Sequence, residues 1–459
     1  LGGAHEPGGA MNAPFRRGAC PGLSQPMPTG DGLLVRLTAT GATIGPEAFV
    51  ALCTAARDCG NGVIEVTSRG SIQLRGLTDR SVERLAAMIA RIDLPVYEGP
   101  AVLCDALAGL DGEELLDAGA LALQLRRAIA SAPYVTDLEP KVSIAVDGGG
   151  ALHLDGVSAD VRLNAQASDG RVYLRVSVGG DAAAARPIGT VAAEHGVDAA
   201  LRMLEVIAAG RARAREILAA GGTGAFCRAI ADIGVDLAPP SLRPPADPIG
   251  THAMRGGHVA LGFGLPFGHA DSTALEELAR AAAGAGASGL RTAPGRALLA
   301  VGIDKDRAAR VVDSVERLGF IAHSEDPRRQ IVACAGAPIC AAAEIPARTL
   351  APGLADSAAI AGRDAPMVHV SGCAKGCACA RSAPVTVVGL DGRCGVVVNG
   401  SARDRPLATL MPEALPGALS RLAEAVRRLR VDDESAAEVL SHLDRAQIVR
   451  LIHGEATGA

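Results

Sequence analysis

Five cysteines crowd between positions 334 and 379 of this chain, and their spacing is that of ligands rather than of disulfides. The segment VACAGAPICAAAE (332–344) gives C-x5-C through Cys334 and Cys340. VHVSGCAKGCAC (368–379) gives C-x3-C through Cys373 and Cys377. Four thiolates converging on one [4Fe–4S] cubane, one per iron, account for such a pattern. Gly336, Gly372 and Gly376 beside the ligands would let backbone approach the sulfides and donate N–H bonds to them. Structural zinc is a competing reading, for which C-x3-C is suitable and C-x5-C loose. Burial of thiols as small hydrophobes is a third, and it covers Cys53, Cys59, Cys104, Cys227 and Cys394. Cys379 is left open, either a bystander or a local substitute for Cys377.

Other residues carry weaker signals. His369 lies four residues before Cys373 and could ligate an iron. A mononuclear iron site usually takes two histidines and a carboxylate, so a core or supporting role is expected of it. His252, His258 and His269 are read the same way. The Gly-rich stretches VDGGGALHLDG and LGFGLPFGH do not supply G-x-G-x-x-G between a strand and a helix, so no dinucleotide is expected to bind here.

The elements that must position the cysteines are written twice. Residues 33–94 lie on 259–320 without a gap, and the apolar pattern is kept throughout. LLVRLTAT falls on VALGFGLP, both alternating strands. Phe49, Leu52 and Ala56 fall on Leu275, Leu278 and Ala282, the spacing of an amphipathic helix. GVIEVTSRGSIQLRGL falls on SGLRTAPGRALLAVGI, a strand, a tight turn and a second strand. Leu85, Ile89 and Ile92 then fall on Val311, Val315 and Leu318 in a second helix. Such self-similarity is the mark of duplication.

The predicted plan is α+β. It has an N-terminal extension (1–24), a first small unit (25–97), a first α/β core (98–237) and a Pro-rich linker (238–250). A second small unit (251–325), a second core with the cysteines (326–431) and a C-terminal helix and tail (432–459) follow. Five prolines in APPSLRPPADPIG exclude regular structure from the linker. In the first core, KVSIAVDG and RVYLRVSVGG read as strands, and Leu201, Leu204 and Ile207 mark a helix. A single terminal helix is expected over 432–453.

Composition narrows the function classes. Hydrophobic residues make up 49% of the 459, the mean hydropathy is +0.24, and the formal net charge is −5. No dense Lys/Arg run is present, there is no Trp, and only 3 Tyr and 6 Phe occur. Neither a nucleic-acid partner nor an acidic membrane surface suits that surface. No apolar run reaches the ~18 residues of a membrane span. The N-terminus lacks the apolar stretch of a signal peptide, and Met11 reads as a start with residues 1–10 upstream of it. A cytoplasmic protein is expected.

Doubled small units together with C-x5-C and C-x3-C resemble the sirohaem nitrite and sulfite reductase superfamily, over roughly residues 15–430. RRGACPGLSQPMPTGDGLLVRL and HVSGCAKGCA are similar, more narrowly, to its precorrin-3B synthase branch. The resemblance implies two ferredoxin-like half-domains alternating with two reductase-type cores, and a tetrapyrrole at their junction beside the cluster. It implies an O2- and NADH-dependent monooxygenation of precorrin-3A with γ-lactone formation, in aerobic cobalamin biosynthesis. It also implies a mononuclear non-haem iron, whose ligands the sequence does not assign. With no dinucleotide motif, NADH electrons would arrive through a separate donor.

Two departures from the reductases favour this branch over sulfite or nitrite reduction, which is the alternative. Pro100 in EGPAVLC stands where the reductases carry an arginine. EPKVSIAV keeps Lys141 but has Ser143 in place of a second lysine. Such cations neutralise an inorganic oxyanion during its reduction. The substrate's carboxylates in turn call for guanidinium forks. Arg36, Arg69, Arg75, Arg291 and Arg296 are the candidates for them, with Arg69 and Lys141 the candidates for the catalytic centre.

Overall fold

The computed structural model describes residues 21–455 apart from 40, 93, 95, 98, 356–366 and 380. Most of the N-terminal extension, including the RRGAC segment, and the tail 456–459 lie outside the described residues.

The repeated pattern folds into two units of the same β-α-β-β-α order. The first runs Gly32–Leu37, helix Pro46–Cys59, Val63–Val66, Ile72–Leu77 and helix Asp79–Ile89; the second runs Val259–Gly264, helix Ser272–Gly284, Gly289–Ala293, Ala297–Ile303 and helix Ala308–Arg317. In each sheet the first strand pairs antiparallel with the third, and the third with the second. Short antiparallel strands, Met27–Thr29 and Gly250–Ala253, extend the outer edges.

The two units complete each other. Ala270 pairs with Ile64, and Ile44 pairs with Leu290. In the repeat register Ile44 is the counterpart of Ala270 and Ile64 that of Leu290, so the exchange is reciprocal, as at a two-fold interface. One apolar core then forms from both units: Phe49, Leu52 and Ala56 from one, Leu275, Leu278 and Ala282 from the other. The helices Pro46–Cys59 and Ser272–Gly284 pack face to face.

Each unit is followed by a larger layer of sheet and helices. The first has strand order 234–235, 186–192, 171–180, 159–168, 143–147, 101–104, and the second 331–333, 368–371, 383–390, 393–400, 408–410. In both, two consecutive pairings are parallel and the later ones antiparallel. A long helix follows each, Gly196–Gly210 and Leu415–Leu429. The duplication therefore covers the cores as well as the small units. The architecture is α+β, two ferredoxin-like half-domains alternating with two cores.

Two local expectations are corrected. The predicted helix through Ile92 stops at Ile89. The single helix expected over 432–453 is two, Ala436–Ser441 and Arg445–His453. Ser435 with Glu438, and Asp444 with Gln447, each form a capping box, and the second restarts the helix where a continuous one was read. The linker has no regular structure before Gly250. Arg243 anchors it to Asp147 and Asp155 at 2.6 and 2.7 Å. Among the described residues no helix is long and apolar enough to cross a membrane.

Candidate functional site

Parallel strands release their loops from one edge, where open α/β sheets bind ligands. Cys334 follows the strand Ile331–Ala333 and Cys373 follows its parallel neighbour Val368–Ser371. The Cys334 amide continues the pairing, donating to the Val370 carbonyl at 3.1 Å. The loop then turns at Gly336, whose φ is +71°, with the Cys340 amide donating back to its carbonyl at 2.8 Å. A Cβ at Gly336 would collide with the Ala347 nitrogen, so a side chain is excluded twice over, by conformation and by space. The Gly372 amide donates to the Cys334 sulfur at 3.1 Å.

The thiols converge. Burial raises the Cys334 pKa against the opposing Gly372 and Gly336 amides, and Cys340 and Cys373 raise it further. Cys377 is raised by burial and then by Cys334, Cys373 and Cys340. Cys379 looks elsewhere, donating to the Arg381 carbonyl at 3.5 Å and lying beside Arg296. Cys377 is the most open of the four, its sulfur partly covered, and Cys334, Cys340 and Cys373 are half-buried. Among the described residues, the trio of ligand-type side chains whose donor atoms all lie within 4.8 Å is Asp147, His153 and Asp155; no three of the cysteine sulfurs are that close. Tetrahedral zinc, with Zn–S of about 2.3 Å, would hold sulfurs about 3.8 Å apart. A cubane takes one sulfur at each of four corners and so holds its ligands farther apart than zinc does.

All four domains meet at these loops. From the first half-domain, the Gly30 amide donates to the Ile339 carbonyl at 2.9 Å, and Arg75 donates to the same oxygen at 3.2 Å. From the second, Arg296 donates to the Ala378 carbonyl at 3.0 Å. From the first core, Asp181 pairs with Arg381 at 2.7 Å. The two equivalent hairpin turns touch, the Gly295 amide donating to the Ser68 carbonyl at 3.0 Å.

The predicted arginines separate into two groups. Arg75 and Arg291 are 5% and 7% exposed. Arg75 binds Asp31 at 3.3 and 3.2 Å. Arg291 donates to Thr43 at 2.7 Å and to the carbonyls of Ala106 and Ala108 at 3.3 and 2.7 Å, and burial lowers its pKa. Both thus join the half-domains to the cores. Arg36, Arg69 and Arg296 are half-buried. Arg36 holds Gln73 at 3.1 and 2.7 Å, and Arg69 reaches the Ser158 carbonyl at 3.1 Å. Lys141 is exposed just before the strand Ser143–Asp147. Ser143, paired in register with Ala101, has no exposure, and its amide and hydroxyl donate to Asp160 at 2.9 and 3.4 Å.

Glu65 was not read from the sequence. It ties the first half-domain to the cysteine-bearing core through Arg348, and it accepts from Gln73 at 2.6 Å. Arg36, Gln73, Glu65 and His269 are register partners across four strands, a polar row that strand alternation could have suggested. Burial lowers the His269 pKa to about 4, with Arg348 adding to it against Glu65. The same is true of His369, through burial and then Arg296. His252 contacts the Pro248 carbonyl at 3.1 Å, and His258 lies 3.6 Å from Asp304. The Asp147–His153–Asp155 trio does not fit a mononuclear iron: the Arg243 guanidinium sits on both carboxylates, and His153 Nε2 meets the Pro244 carbonyl at 2.9 Å.

Known proteins resemble the chain at different levels. Residues 25–92 match the family described as the Nitrite/Sulfite reductase ferredoxin-like half domain. The Precorrin-3B synthase of Sinorhizobium sp is 37% identical over 437 residues, 95% of this chain and 94% of that protein. Sulfite reductase (ferredoxin) 2 of Mycolicibacterium paratuberculosis is 30% identical over 148 residues, 31% of this chain and 27% of its own length. The solved structure of the Mycobacterium tuberculosis NirA protein superimposes with a TM-score of 0.75 at 18% identity, covering 91% of this chain and 84% of that one. That likeness is one of fold.

Proposed function

The chain belongs to the precorrin-3B synthase family, and on that premise we propose that it converts precorrin-3A to precorrin-3B with a [4Fe–4S] cluster held by Cys334, Cys340, Cys373 and Cys377. The observation that carries the proposal is the mutual influence of four thiols, Cys334, Cys340, Cys373 and Cys377, on loops where all four domains meet. The reaction is an O2- and NADH-dependent monooxygenation. One oxygen atom enters the tetrapyrrole, an acetate side chain closes the γ-lactone, and the second oxygen atom leaves as water with two electrons originating from NADH.

A bound cluster would supply electrons one at a time. The chain's own part is to bind and orient. Arg36 and Arg69, on or beside the first half-domain's strands, offer guanidinium forks to the substrate's carboxylates. Arg296 lies between the hairpin turn and the cysteine loop and positions both. Lys141, an exposed ammonium at the head of its strand, is the group available to hold or deliver a proton. Ser143 supports oxygenation over oxyanion reduction, since its side chain turns inward to a carboxylate, Asp160, where a reductase needs a second cation. A separate NADH-linked protein delivers the electrons.

The test supplies chemically reduced holoprotein with sulfite, with nitrite, and with precorrin-3A plus O2. Turnover is expected in the third case alone, with 18O2 labelling the product. Brisk sulfite or nitrite reduction, or precorrin oxidation that ignores O2, would return the protein to the reductase branch.

A further inference from the structure

His369 has no solvent exposure, and neither of its ring nitrogens has a hydrogen-bond partner. Buried polar atoms nearly always find one, and an orphaned donor costs about 1–3 kcal/mol. The position of the ring says what is missing. Val332, His369 and Thr386 form a row across three parallel strands. Their neighbours Ile331, Ala333, Val368, Val370, Val385 and Val387 point the other way, into the helix-covered core. His369 therefore occupies the opposite face of the sheet.

On that face lies the loop between Cys373 and Cys377. A Cβ at Gly376, the residue before Cys377, would sit 3.7 Å from His369 Cε1. Both ring nitrogens are bonded to Cε1, so the N–C–N edge of the imidazole is turned toward the loop. Gly376 has a φ of +62° and no side chain, which leaves that edge uncovered. The other polar groups nearby do not complete it. Thr386 gives its proton to the Gly400 carbonyl at 2.7 Å and makes no bond to the ring, and Arg296 has only donors to offer. Either tautomer of the imidazole carries a ring N–H that needs an acceptor.

We propose that His369 donates this N–H to sulfur of the iron–sulfur site, at Cys377 or a cluster sulfide, and so sets the reduction potential of the cluster. The proposal rests on the four-cysteine reading and adds a positioning residue that ligates nothing. An N–H bond to sulfur favours the reduced, more negative state and raises the potential.

The experiment uses holoprotein purified anaerobically, with the potential followed by EPR. His369→Phe removes both nitrogens. It should retain iron and sulfide while its reduction constant falls about tenfold, about 59 mV for one electron. His369→Gln keeps a side-chain N–H and should recover much of that shift. Pulsed EPR of wild-type protein labelled with 15N-histidine should show a weakly coupled imidazole nitrogen, and this readout decides the matter if His369→Phe cannot hold the cluster. An unchanged potential in cluster-loaded His369→Phe, or no 15N coupling in the wild type, would overturn the proposal and leave the cysteine assignment standing. Wild-type protein without iron and sulfide would remove both.

Discussion

Arg75 was expected to grip substrate, and its burial and its bonds to Asp31 and Ile339 predict the role of a tether. Its side chain is 6% exposed and that of Asp31 18%. Two hydrogen bonds join them, and a third runs to the Ile339 carbonyl beside Cys340. Removing one partner of a buried pair costs about 3–5 kcal/mol. In Arg75→Ala, Asp31 keeps Thr29 at 2.8 Å and Asn61 at 3.1 Å, and Ile339 keeps the Gly30 amide. The cost should therefore fall at the low end, about 3 kcal/mol. Urea denaturation of Arg75→Ala, Asp31→Ala and the double variant measures it, with a coupling of about 1–2 kcal/mol expected for a pair in direct contact. The Cys340 loop loses one of its two bonds to the first half-domain in the same step, so iron and sulfide per chain should drop as well. A variant as stable and iron-rich as wild type, but with weakened tetrapyrrole binding, would refute this reasoning and return Arg75 to the substrate.

Two further expectations concern the thiols and a buried carboxyl. Cys379→Ala should retain the cluster and Cys377→Ala should lose it, read as iron and sulfide after anaerobic purification; the reverse would exchange their roles. Asp105 is 1% exposed, and burial, then Glu114, Asp147 and Asp111, raise its pKa from 3.8 to about 8. Between those values the folded chain holds a proton that the unfolded chain releases, so stability falls as pH rises through that window. Asp105→Asn should flatten the dependence and gain more than about 1.4 kcal/mol at pH 8.5. If it loses stability there, ionised Asp105 has a cationic partner.

The repeat was legible because burial imposes the same apolar positions on both copies. Phe49 and Leu275, or Leu52 and Leu278, are all within 1% of full burial. The cores were not legible as copies, because their strands keep topology without keeping spacing. The cysteines announced themselves by type and interval. The arginines could not, since whether a strand arginine meets solvent or protein is decided by the element opposite it. For Arg291 that element is the loop holding Ala106 and Ala108, far away in sequence. His369 was visible as a residue but not as an orphan: its lack of partners depends on Gly376 and Arg296 arriving from two other segments.

The reciprocal pairing of the half-domains also sets a timetable for synthesis. Their common core draws on residues from Val35 to Phe320, so it cannot close until the second copy has left the ribosome. At about 5–20 residues per second, the first copy waits roughly 10–45 s with its docking helix unsheltered. Through that interval Phe49, Leu52 and Cys53, destined for complete burial, face the cell's water and its chaperones. Exposed apolar surface of this kind is open to aggregation, and it lies well upstream of the cysteines that would carry iron.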